Sequence, residues 1–152
     1  MNRLYTLSLL LTGEQQKAER CFVNSFEECF QSIRVFKDWA PRWATHTIIK
    51  NAIQMMLPMQ GSASVRAIAN QNRVSEPEIL RETLLDLPIF DRFAYVMSVL
   101  ENYSDRECAA FLGCAPTLIP IARQRAIQVL GETSAPLLRQ EVPAPAALRM
   151  IS

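Results

Sequence analysis

Apolar residues in this chain recur every three or four positions, and nowhere do they alternate over a sustained run rich in β-branched residues. That period belongs to helices that bury one face, so the sequence predicts an all-α protein. Residues Leu4 to Leu11 read as a first helix, stopped by Gly13 as a C-terminal cap. Between Glu14 and Ile33, Ala18, Phe22, Phe26 and Phe30 follow one another at intervals of four, with Cys29 and Ile33 widening the stripe. This reads as one long amphipathic helix whose phenylalanines face the core. The turn at Gly13 is short, so the two helices are expected to form an antiparallel hairpin. A third helix follows Asp38, with Trp43, Ile49, Ile53 and Met56 on its apolar side.

Beyond Leu57 the pattern lapses, because residues 58–73 mix Pro, Gly, Ser and Asn with few large apolar side chains. They read as a linker between two small helical domains, residues 1–57 and 74–131. The second domain opens on Ser75, with Pro77 in the first turn and Glu78 completing a capping box. Ile79, Leu80 and Leu84 form its first stripe, which ends at Leu87-Pro88, and Phe93, Val96, Met97 and Leu100 form the next. Ser104 with Glu107 makes a second capping box and opens a short helix carrying Cys108, Phe111 and Leu112, ended by Gly113. The segment from Ala115 to Leu130 completes the proportions of a helix-turn-helix. Residues 132–152, with Pro136, Pro143 and Pro145, read as an extended tail.

Composition narrows the function. Sixteen basic against fifteen acidic residues leave a net charge of +1, so bulk charge steers nothing towards nucleic acid. The four cysteines form no CxxC pair and do not match zinc spacing, and the one histidine, His46, can build neither a metal site nor a triad. No nucleophile elbow, HExxH, P-loop or dinucleotide fingerprint occurs, so neither an enzyme, a metal nor a cofactor is expected. The uncharged stretches fall short of the roughly 18–20 apolar residues of a membrane span. Gly13 leads into Glu and Gln rather than a signal cleavage site, which points to a cytoplasmic protein.

Two stretches resemble a known family. Residues 87–130 are similar to the promoter-binding C-terminal domain of extracytoplasmic-function sigma factors of bacterial RNA polymerase. Leu87, Pro88 and Arg92 match the leading LPxxxR, Glu101 and Ser104 fall where one helix ends and the next is capped, Leu112-Gly113-Cys114 resembles the LGC turn, and Arg125-Ala126 the closing RA. The N-terminal part resembles the family's core-binding and promoter-melting domain through Leu11-Thr12-Gly13, Ala18-Glu19 and Phe26, while Trp43 and Lys50-Asn51 resemble its W…RN helix. The resemblance implies a factor that binds the RNA polymerase core and promoter DNA, with an anti-sigma or other helical protein as a further partner. Arg123, Arg125, Thr117, Trp43, Lys50 and Asn51 become the candidate DNA contacts.

The chain also departs from the pattern. The polar residues that the family presents to polymerase are replaced by Arg20, Val23 and Asn24, and the recognition helix carries Pro120-Ile121-Ala122 in place of Lys-Ser-Arg. Arg123 stands where the family has an inward Leu. These changes open a second reading, a sigma-derived interaction or regulatory module without DNA readout, which the apolar Ile119 and Ile121 would suit. Pro120 further predicts a late helix start, with Thr117 as the cap and Pro120 third in the helix, because a proline deeper inside would cost roughly 3 kcal/mol.

Overall fold

Gly13 sets the first corner of the fold. In the computed structural model, which describes residues 2–32, 40–57 and 76–138, α1 (Asn2–Thr12) ends where Gly13 takes a φ of 72° and its N–H donates to the Leu9 carbonyl at 2.8 Å. Helices α2 (Gln15–Ser32) and α3 (Ala40–Met56) follow, and the three pack against one another. Trp39, the expected linker, the Ser75 cap and residues 139–152 lie outside the described residues. Those residues are all-α, with no strand among them.

The buried face of α2 differs from the expected one. Ala18, Cys21, Ser25 and Cys29 are buried, whereas Phe26 and Phe30 are 54% and 67% exposed. Ala18 and Cys29 are buried as expected, but between them the seam runs through Cys21 and Ser25, one position before Phe22 and Phe26, a rotation of about 100° around the helix. The seam is built of small residues, which let α1 and α3 approach α2 closely, and three successive Phe rings would hold them apart. Phe26 and Phe30 instead stand on the outside, while Phe22 is half-buried against the core; successive ring centroids lie 6.2 and 5.4 Å apart, and Phe22 meets Tyr5 edge-on at 6.0 Å. Polar residues in the seam are satisfied locally: the Ser8, Thr12 and Ser25 hydroxyls donate to the carbonyls of Leu4, Ser8 and Cys21 four residues back.

The C-terminal half comprises α4 (Glu76–Asp86), α5 (Ile89–Tyr95), α6 (Asp105–Leu112) and α7 (Leu118–Leu138). Leu87-Pro88 separates α4 from α5, as the restricted backbone before a proline requires. α5 runs on into a π-helical turn, Val96–Leu100, where the Glu101 N–H reaches back five residues to the Val96 carbonyl at 3.0 Å. The wider turn shifts the register. Phe93, Val96 and Met97 are buried as expected, but Leu100 is carried out to 41% exposure. α7 continues through Gly131 to Leu138, past the point where the extended tail was expected to begin. Gly131 costs about 1 kcal/mol inside a helix, too little to end one already anchored by Leu130.

Contacts also join the halves. α1 meets α4 and α5, α3 meets α6, and one contiguous apolar cluster runs from Leu7 and Leu11 to Leu84, Leu87 and Phe93. Arg92 bridges the junction, donating from Nη1 to the Leu85 carbonyl at 2.6 Å and from Nη2 to the Leu11 carbonyl at 3.1 Å.

Candidate nucleic-acid interface

Helix α6 begins on a complete capping box. Ser104 is extended, its Oγ accepts from the Glu107 N–H at 3.3 Å, and its own N–H donates to Glu107 Oε2 at 2.8 Å. Hydrogen bonds from the Ser104 backbone and then its hydroxyl hold the Glu107 carboxyl below the ordinary range, so it stays an anion at the positive end of α6. Gly113 ends the helix at φ 63°, and the Cys114 N–H caps the Ala109 carbonyl at 3.1 Å. A Cβ at Gly113 would meet nothing, so glycine is needed there for its backbone conformation alone.

Helix α7 starts at Leu118, which makes Pro120 its third residue, as the proline argument predicts. The capping differs in one respect. The Leu118 and Ile119 N–H groups donate to the carbonyls of Ala115 and Pro116 at 3.0 and 3.3 Å. Pro120 has no N–H, so the usual donors to an N-cap side chain are spent or missing, and exposed Thr117 marks the start without an N–H to accept from.

Ile119, Ala122, Ala126 and Leu130 form the buried face of α7, which packs against α5 and α4 and more lightly on α6. Arg123 sits half-buried beside that face and turns outward, its Nη1 donating to Asp105 Oδ1 at 2.7 Å. A long stem and a carboxylate at its end let an arginine sit beside this apolar face. Arg125 grips Asp91 through two parallel bonds of 3.0 and 2.6 Å, which push its already high pKa further up. The Asp91 side chain is 7% exposed and that of Arg125 is 59% exposed, so the cation presents an open edge while its partner is buried. Leu118 and Ile121 stand exposed at the tip.

The other candidates lie on α3. Trp43 is half-buried and its carbonyl accepts from the Thr47 hydroxyl at 2.9 Å. Lys50 is exposed and pairs with Glu28 at 3.2 Å. Asn51 is buried, and its Nδ2 donates to Ser25 Oγ at 2.9 Å, so it ties α3 to α2 rather than facing outward. The structure therefore groups Thr117, Arg123 and Arg125 on α7 and Trp43 and Lys50 on α3, with α6 in contact with both helices.

Reading the sequence did not single out a cleft of about 360 Å³ between the halves, lined by Arg3, Pro41, Arg42, Thr45, Glu101, Asn102 and Tyr103. Arg3 pairs with Glu101 at 2.9 Å and Arg42 with Glu107 at 3.8 Å, while the His46 ring lies 4.5 Å from that of Phe111. These residues are far apart in the chain and follow no motif. The available signal was Asn102, an asparagine after a helix, which takes a φ of 57° and turns the chain into the cleft.

The thiols are free, and Cys21, Cys29 and Cys108 are buried. Burial pushes Cys21 and Cys108 up to about 11. Among the described residues no helix is long and apolar enough to cross a membrane, and no group of His, Cys, Asp and Glu could hold a metal ion. No protein-family model matches the chain, and no curated protein matches it.

Proposed function

We propose that this protein is a sigma-like transcription initiation factor that binds the RNA polymerase core and promoter DNA, the latter through a helix-turn-helix formed by α6 and α7. The observation that carries this reading is the capped α6, the left-handed Gly113 within the residues that resemble the family's LGC turn, and the start of α7 at Leu118, five residues beyond Gly113. The exposed edge of Arg125, with Gln124 and Gln128 beside it, is the polar surface such a helix would offer to a groove. Specificity would be unusual, because Pro120 delays the helix and leaves Leu118 and Ile121 at the tip.

A second reading is supported by the same helix. Arg123 and Arg125 are engaged by Asp105 and Asp91, and exposed Leu118, Ile121 and Ile127 suit a protein partner better than a phosphate backbone. In this reading the sigma scaffold is kept as an interaction or regulatory module.

A salt titration of duplex DNA binding by fluorescence anisotropy, with and without core RNA polymerase, separates the two. The first reading expects affinity that falls with salt, and a slope flattened by up to about two units when Arg123 and Arg125 are both changed to Ala, near 0.9 per lost phosphate contact. Binding to core polymerase with no DNA binding under any condition rejects the first reading in favour of the second.

A further inference from the structure

Helix α2 has two apolar faces of different character. Its small residues fill the seam with α1 and α3, while on its outer side Val23, Phe26 and Phe30 are 50%, 54% and 67% exposed and stand three and four positions apart. That spacing puts them in one row along the helix, as in the inward positions of a two-helix seam. Contiguous exposed apolar side chains of this size mark an interaction site.

The flanks of the row identify its occupant. On one flank Phe22 is half-buried and meets Tyr5 edge-on, and Cys29 is buried, so this side is turned into the protein. On the other flank stand Arg20 and Glu27, both exposed and seven residues apart, which places them on the same side of the helix two turns from each other. Nearby charges are paired, Lys17 with Glu14 and Glu28 with Lys50, whereas among the described residues neither Arg20 nor Glu27 has an ion pair. When two copies of α2 lie antiparallel, each flank faces the same flank of the other copy. Arg20 of one copy then falls beside Glu27 of the other, and two-fold symmetry repeats the pair. Val23 meets Phe26 of the second copy at the centre. A parallel pair would instead set Arg20 against Gln15 and Glu27 against Phe22, with no opposite charge at either place. The row thus carries its own complement in charge.

We propose that the outer face of α2 is a self-association surface, on which a second copy of the chain docks antiparallel through Val23, Phe26 and Phe30, with Arg20 and Glu27 pairing across the rim. The seam is short. Glu19, held by Gln15 Nε2 at 3.1 Å, keeps a charge at its outer end, so the contact is smaller than a standard interface and the association weak, with a midpoint on the order of 100 μM. The pairing does not rest on the sigma-like reading.

The test is sedimentation equilibrium of the full-length chain from about 5 to about 500 μM, with helix content followed by circular dichroism. The average mass should rise from one chain towards two. Phe26→Glu should abolish the rise and leave helix content unchanged. Arg20→Glu and Glu27→Arg, each alone, bring like charges together and should weaken association about tenfold. Mixed in equal amounts, these two variants should associate more tightly than either does alone, because one copy then presents two acidic residues to two basic residues of the other. The charge variants decide the matter if Phe26→Glu does not fold. A mass of one chain throughout overturns the proposal and leaves the face to a different protein. A rise that survives Phe26→Glu also overturns it, placing the association on another surface such as Leu118 and Ile121 of α7. A mixture no tighter than its components overturns the antiparallel pairing. None of these failures touches the sigma-like reading, which is tested by DNA binding.

Discussion

The two halves of this molecule bury polar groups by different means. In the N-terminal half the buried polar side chains are neutral: Ser8, Thr12 and Ser25 donate to carbonyls of their own helices, and Asn51 spans two helices through Ser25. The C-terminal half buries charge. Asp91 holds Arg125, and Arg92 reaches out of its own half to serve the last turn of α1. A hydroxyl satisfied by its own helix can be lost with little consequence for its neighbours. A buried guanidinium leaves two carbonyls stranded when it goes. The contrast locates the fragile point of the fold at the junction and not in either core.

Unfolding measurements can break that comparison. Arg92→Met should cost about 3 kcal/mol, because the buried Leu11 carbonyl and the half-buried Leu85 carbonyl both lose their donor. Gly13→Ala should cost about 2 kcal/mol, from a strained left-handed alanine and the displaced Arg92. Asn51→Ala should cost only about 1 kcal/mol. Denaturant midpoints in which Asn51→Ala is the most damaging of the three would reverse the assignment of the weak point.

Alkaline pH probes both halves alike. The Cys21 and Cys108 thiols ionise at about 11 in the folded chain, against an ordinary value of 9.0, with burial the leading cause in each. The folded state then holds protons that the unfolded chain has released. Their contribution is present below about pH 9 and is lost as pH rises through about 11. Urea midpoints should therefore fall between pH 8.5 and 10.5, about equally by probes in either half. Cys21→Ser and Cys108→Ala should each flatten the fall, and a flat profile in the unaltered chain would contradict the burial of these thiols.

The smallest effect is expected on the outer face of α2. Phe26→Ser and Phe30→Ser should each change stability by less than about 1 kcal/mol, against the 3–5 kcal/mol typical of a core phenylalanine. A large loss from either would mean that the stripe is covered after all, and would return α2 to the orientation its sequence suggests.

Much of this fold is legible in the chain. Period, proline and glycine marked the helices, Ser104 with Glu107 announced the start of α6, and Pro120 alone was enough to place the start of α7, because these are effects of a few neighbouring residues on their own backbone. Other features depend on distant neighbours. Two apolar stripes compete on α2, and only the approach of α1 and α3 selects the small one, since close packing rewards Ala, Cys and Ser over larger rings. The π turn at Val96 moves Leu100 outward without any sequence mark. Arg123 and Arg125 read equally well as groove cations, and only the placement of Asp105 and Asp91 shows them to be paired. Nothing local tells Arg92 to seek the carbonyl of Leu11. Local backbone chemistry is fixed by residues a few positions apart and can be read in sequence order. The choice of buried face and of ionic partner is made across the fold, where the space and charge presented by other helices decide which of several compatible arrangements has the lowest free energy.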